Sequence, residues 1–172
     1  KALARKDPDF IPAFVLNHIL GGGGFSSKLM QEVREKRGLA YSVYSYLNPL
    51  DHAAVMQGGV ATKNEAIAES LDVIRGELEK IAKNGVSAED LKGAQDYLTG
   101  SYALRFDTNS KIASQLLGIQ IEDLGLEYIE TRNDQVRAVT LEDIKRAASR
   151  FLDPDDLITI IVGKPEGLEA RG

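Results

Sequence analysis

At 172 residues, with 43% hydrophobic and 27% charged residues, the chain can bury one substantial core and lies far from disordered or membrane-embedded compositions. A formal net charge of -5 argues against a phosphate-backbone partner, which needs clustered Lys and Arg, so nucleic acid is disfavoured. Cysteine is absent, which excludes thiol catalysis, disulfides and thiolate zinc sites, and no apolar run is long enough to cross a bilayer.

The start, KALARKDPDF, carries neither an initiator Met nor a hydrophobic signal region and reads as a processed chain or a piece of a longer one. FIPAFVLNHIL then places Phe14, Val15, His18 and Ile19 at helical spacing, which predicts a helix ending at the glycine run with Pro12 in its first turn. After Gly21–Gly24, Ser26 or Ser27 is expected to cap a short helix through Arg37, with Leu29, Met30 and Val33 inside and Gly38 closing it. LAYSVYSYL and AAVMQGGVAT read as strands of one hairpin, with Gly58-Gly59 marking a bulge or a close approach.

From Asn64 to Asn84 the steps Ile67, Leu71, Ile74, Leu78 and Ile81 predict a long helix stopped by Gly85. Ser87 with Asp90 spells a capping box before Leu91, Ala94, Leu98 and Tyr102, and Thr140 with Asp143 repeats it before Ile144, Ala147, Ala148 and Phe151. Another helix begins near Asn109, with Ile112, Leu116, Leu117 and Ile119 expected inside, and LITIIVG after Pro154 is expected to form a buried strand. This order implies an α+β fold, an antiparallel sheet with helices packed on one face as a two-layer sandwich. Residues 1–172 are expected to form a single domain, and because three strands are few for so many helices, a first strand is expected to lie before Lys1.

The glycine run invites a phosphate-loop reading, but a Walker loop needs Gly-Lys-Ser/Thr where Ser26-Ser27-Lys28 stands, and a dinucleotide loop needs a preceding strand and a third glycine. His18 and His52 have no partner at metal-ligand spacing, so no metal is assigned to this chain. Ser26 and Ser27 lack a placed base and fit capping better than nucleophilic attack. Arg34 and Tyr41 stand apart. Gly38 reverses the chain between them, so a guanidinium and a phenol can face one open cavity and donate to a peptide carbonyl or its oxyanion. On spacing alone the plainer reading, Arg34 paired with Glu35 or Glu32 and Tyr41 in the core, outweighs this one.

At these residues the sequence resembles a known family. LGGGGFSSKLMQEVREKRGLAYSVYSYL, Leu20 to Leu47, is similar to the C-terminal domain of the pitrilysin, insulysin and mitochondrial processing peptidase family of zinc metallopeptidases, and the likeness runs on through DIKRAASRFLDPDDLITIIVGKPE. The resemblance implies two similar domains closing around a chamber, with zinc in an N-terminal partner domain or partner subunit on an inverted H-x-x-E-H motif. It also implies catalytic, transition-state-supporting roles for Arg34 and Tyr41, and substrate-binding roles for Gly21, Gly22, Gly23, Gly24 and Phe25. The implied partners are that zinc-bearing domain or subunit and a peptide substrate, with a homo- or heterodimer in prospect and neither nucleic acid nor membrane.

The zinc motif is absent from this sequence, so the chain alone is expected not to hydrolyse peptides, whereas the parent protein or complex is expected to be a zinc metalloendopeptidase. The rival reading is a non-catalytic structural or assembly subunit of the same family. Bacterial relatives point to the periplasm or another exported compartment, with the cytoplasm as the alternative.

Overall fold

The computed structural model describes residues 2–50 and 52–168. Helix α1, Phe10–Asn17, buries Phe10, Pro12, Ala13, Val15 and Leu16, so it runs through the core rather than over it. It does not stop at the glycines. The backbone widens into a π turn, His18–Gly22, and a 3-10 turn follows at Gly24–Ser26. Ser27 sits where a cap belongs, but its hydroxyl donates to the Gly24 carbonyl at 2.7 Å, because the tight turn before it brings that oxygen within reach. The expected serine cap is therefore absent at this helix.

The helix that follows takes π spacing over Met30–Glu35 and buries Met30 and Val33. Gly38, at φ 64, closes it by donating its N–H to the Arg34 carbonyl at 2.8 Å, a conformation most side chains resist. Strand β1, Ala40–Pro49, then pairs antiparallel with β2, Ala54–Thr62. The bulge falls between Ala40 and Ser42, not at Gly58-Gly59, so Tyr41 is the extra residue on β1. The two glycines instead allow a close approach: a Cβ on Gly58 would lie 2.8 Å from the Tyr44 carbonyl oxygen, and one on Gly59 2.9 Å from the Tyr44 hydroxyl.

The bulge matters for the core. Side chains alternate along a strand, so Ala40 and Val43, three apart, can both face inward only if one residue is added between them. Beyond it, Val43 and Ser45 point inward, and Tyr44 and Tyr46 point out and stack at 6.2 Å between ring centroids. The helices cover the inner face alone: α1 and the two π segments lie under β1, and α2, Ile67–Asn84, under β2. The fold is thus α+β, an antiparallel hairpin with helices on one side, as expected from the order of elements.

The remaining helices are α3, Ala88–Gly100, α4, Asn109–Ile121, α5, Tyr128–Ala138, and α6, Leu141–Phe151. Both capping boxes form as spelled, Ser87 with Asp90 and Thr140 with Asp143. Helix α6 buries Ile144, Ala147, Ala148 and Phe151 against α1 and α2. Helix α5 has no apolar stripe to announce it. It is held by Arg132, buried and donating to the Leu98 carbonyl at 2.7 Å with its guanidinium 4.5 Å from the Tyr102 ring.

Two expectations fail in instructive ways. In α4 only Ile119 is buried, while Ile112, Leu116 and Leu117 remain exposed, because the helix packs chiefly on the 3-10 turn Tyr102–Phe106. LITIIVG forms no strand: among the described residues no partner edge lies beside it, and strand pairing requires one. Its Ile158, Ile160 and Val162 are exposed. No helix among the described residues is long and apolar enough to cross a membrane.

Candidate functional site

Arg34 leaves the last turn of the Met30–Glu35 segment and Tyr41 projects from the β1 bulge, six residues past Glu35. Their side chains meet. The Arg34 guanidinium carbon lies 5.5 Å from the Tyr41 ring centroid and 4.7 Å from that of Phe25, so a cation sits against two aromatic rings. Phe25 is carried there by the 3-10 turn Gly24–Ser26, which Gly24 enters at φ 61. Tyr41 is 82% exposed and Phe25 66%, which places the cluster on an open surface.

The electrostatic surroundings leave the guanidinium available. Glu32 is occupied by Lys36 and by Arg37 at 2.6 Å, and these two cations hold its carboxyl below the usual range. Glu35 approaches Arg34 only to 3.6 Å at Nε. Among the described residues neither the Arg34 terminal N–H groups nor the Tyr41 hydroxyl has a hydrogen-bond partner within the chain. Stacking fixes the plane of a guanidinium and leaves its N–H edge to donate elsewhere.

The glycines divide between packing and turning. Gly21 is buried, and a Cβ there would stand 2.4 Å from the Ser45 Oγ and 2.6 Å from the Ser45 backbone nitrogen. Ser45 in turn donates to the buried Asn17 Oδ1 at 2.9 Å, so this contact locks α1 to β1. Gly22 and Gly23 press on Asn17 and His18, with Cβ positions 2.7 Å from the Asn17 Nδ2 and the His18 carbonyl oxygen. Gly21–Gly23 thus make close approaches, and Gly24, with nothing within 4 Å of a Cβ, supplies the left-handed turn.

Gly22 also lines a cavity of about 320 Å³ with Asn17, His18, Tyr97, Ser101 and Arg105. Arg34 and Tyr41 do not line it. His18 stacks on Tyr97 at 5.0 Å between centroids, and burial pulls its pKa down, which keeps the imidazole neutral. Among the described residues no three His, Asp or Glu side chains are placed to hold a metal ion, so the donor set does not fit zinc.

The sequence reading paired Arg34 with Tyr41 and set Phe25 with the glycines, and it missed two features. One is the bulge, and its signal is present: Tyr41, Tyr44 and Tyr46 are spaced three then two, and a regular strand cannot turn all three outward. The other is the Asn17–Ser45 bond behind the glycines, for which nothing in the local sequence stands out.

Comparison with known proteins follows the same segment. The family model described as "Peptidase M16 inactive domain" matches residues 2–98. An "Uncharacterized zinc protease" of Streptomyces coelicolor is 32% identical over 155 residues, 86% of this chain and 34% of that protein. A "Non-peptidase homolog", YmxG of Helicobacter pylori, is 29% identical over 154 residues, 90% of this chain and 35% of that protein. The crystal structure of a peptidase M16 inactive domain from Pseudomonas fluorescens superposes with a TM-score of 0.78 at 34% identity, over 90% of this chain and 36% of that one. The chain thus spans about a third of the length of the relatives it matches.

Proposed function

Because the chain belongs to the peptidase M16 family, in which it corresponds to the inactive domain, we propose that it forms the C-terminal, substrate-facing half of a zinc-dependent metalloendopeptidase. In this reading zinc is held by an N-terminal domain or partner subunit, and the two halves close on an extended peptide. The work assigned to this chain is hydrogen-bond donation. An Arg34 N–H and the Tyr41 hydroxyl reach a substrate carbonyl oxygen, and both bonds strengthen as that oxygen gains negative charge.

The observation that carries the proposal is the Phe25–Arg34–Tyr41 cluster, which among the described residues leaves two donors without partners on an open surface. The outward Tyr44 and Tyr46 continue that surface along β1 and give an extended peptide an apolar track. Gly21 and Gly22 serve this reading indirectly, by packing the turn that carries Phe25, and Gly23 and Gly24 complete the turn. Placement of the parent protein in the periplasm or another exported compartment goes with the proposal and is checked by fractionation.

The rival, a non-catalytic assembly subunit, is favoured by the relative named a non-peptidase homolog. Turnover of a fluorogenic peptide by the parent protein separates the two. Chelator-sensitive turnover supports the peptidase reading, and its absence with zinc present supports the assembly role.

A further inference from the structure

The cavity beside Gly22 carries positive charge and no acid to balance it. Arg105, from the 3-10 turn Tyr102–Phe106, lines it, and among the described residues no Asp or Glu does. The acids that adjoin its wall in sequence are occupied, Asp96 by Lys92 and Asp107 by Lys111. A second guanidinium stands behind the wall. Arg132, 4% exposed, lies 5.5 Å from the ring of Phe14 and donates to the Leu98 carbonyl at 2.7 Å, and both of those residues line the cavity. Its bond to the Asn133 Oδ1, at 2.9 Å, is also to a neutral group. Among the described residues neither guanidinium has a carboxylate partner. Burial, and more weakly the like charge of Arg105, draws the Arg132 pKa down, as befits a cation short of counter-charge.

The polar groups of the wall are left with bonds to give. Asn17 is 8% exposed, and its Oδ1 accepts from the Ser45 hydroxyl at 2.9 Å. Its Nδ2 has no partner among the described residues. None of their side-chain nitrogens or oxygens is both sealed from solvent and unpartnered, so Nδ2 reaches open space, and the space that Asn17 borders is this cavity. Nδ2 stands there beside Gly22, where a Cβ would lie 2.7 Å from it. The Ser101 hydroxyl is likewise without a partner among the described residues. An amide, a hydroxyl and a guanidinium thus border one space as donors, and Phe14 and the stacked His18–Tyr97 pair supply flat faces beside them.

We propose that this cavity is a carboxylate-binding site, in which Arg105 pairs with the carboxylate, the Asn17 Nδ2 and the Ser101 hydroxyl donate to it, and the rings of Phe14 and Tyr97 take the apolar body attached to it. A guanidinium matches a carboxylate in both shape and charge, through two parallel N–H bonds. One such fork with two neutral donors suits a single negative charge better than a phosphate dianion. A volume of about 320 Å³ lies at the small end of ligand pockets and admits a group the size of one amino acid. Two sources offer that chemistry, a free carboxylic acid and the C-terminal residue of a peptide. The site stands apart from the peptidase reading, because Arg34 and Tyr41 lie outside the cavity.

Calorimetric titration of the parent protein tests this with N-acetylleucine and with N-acetylleucinamide, which has the same body without the charge. N-acetylleucine should saturate one site below about 10 mM, and either the amide or the Arg105→Gln variant should weaken that binding about tenfold or more. The Arg105 side chain is exposed and makes no hydrogen bond among the described residues, so Arg105→Gln should leave the fold intact. Arg34→Ala should leave this binding unchanged. Equal binding of acid and amide, indifference to Arg105→Gln, loss in Arg34→Ala or failure to saturate each overturns the proposal. A pentapeptide with a free C-terminal leucine separates the two sources. Arg105-dependent binding tighter than that of N-acetylleucine assigns the site to peptide termini, and weaker or Arg105-independent binding assigns it to free acids.

Discussion

The Arg34 guanidinium and the Tyr41 ring lie 5.5 Å apart because a π-spaced helix ends, a glycine at φ 64 reverses the chain, and a one-residue bulge re-aims the tyrosine. Stacking and donation are separable functions of this pair. Tyr41→Phe keeps the ring and removes the hydroxyl, so stability should stay within about 0.5 kcal/mol while peptide turnover by the parent protein falls roughly tenfold or more. Tyr41→Ala also frees the guanidinium and should lower turnover further. Thermal melts beside kcat/KM distinguish the two.

The glycine run should respond unequally to alanine. Gly21→Ala drives a Cβ to 2.6 Å from the Ser45 backbone nitrogen, which no side-chain movement relieves, and should cost about 1–3 kcal/mol. Adding Ser45→Gly should not rescue it. Gly24→Ala meets nothing within 4 Å and should cost only the left-handed backbone term, about 1–2 kcal/mol. Urea midpoints rank the variants.

Acid should loosen the contact between residues 7–9 and α6. Arg150 holds the Asp7 carboxyl low, Arg146 and Arg150 do the same for Asp9, and Thr140 with Arg146 brings Asp143 to about 2. Folded pKa values below unfolded ones mean stability that is complete above about pH 4 and is lost as pH falls through the folded values toward 2. His18 adds an earlier, smaller loss below about pH 6.5, because burial resists its protonation. Denaturant midpoints measured from pH 7 to 2 should fall in two steps. Asp143→Asn should shrink the lower one.

Both capping boxes should be worth a measurable amount. Ser87→Ala and Thr140→Ala each remove a hydroxyl that accepts a helix N–H at 3.1 Å, and each should cost about 1 kcal/mol, or about 2–4 °C in Tm. The two sites share no side-chain contact, so their effects should add in the double variant.

How much of this was legible follows from where the information sits. Capping boxes, the 3.6-residue stripe of α2 and the hairpin are local patterns, and Ser87, Thr140, Ile67–Asn84 and the β1–β2 pairing appear as read. The likeness of Leu20–Leu47 to the metallopeptidase family was likewise readable, and the family match bears it out. Features that depend on distant partners were not. Arg132 anchors α5 through a carbonyl 34 residues away, Leu116 and Leu117 look like core until α4 proves to have little packed on it, and LITIIV has strand propensity but, among the described residues, no edge to join. At the site, the spacing of Arg34 and Tyr41 raised their convergence as the lesser of two readings, and the rings on which the cation rests and the tight packing of Gly21 on Ser45 depend on tertiary contacts.

The most direct test of the account is a double-mutant cycle on kcat/KM of the parent protein with Arg34→Ala, Tyr41→Phe and both together, using one fluorogenic peptide. If both donors serve one carbonyl, each single variant loses about tenfold to 1000-fold and the double variant loses clearly less than the product of the two. Turnover unchanged in both single variants, in an active parent protein, contradicts the account.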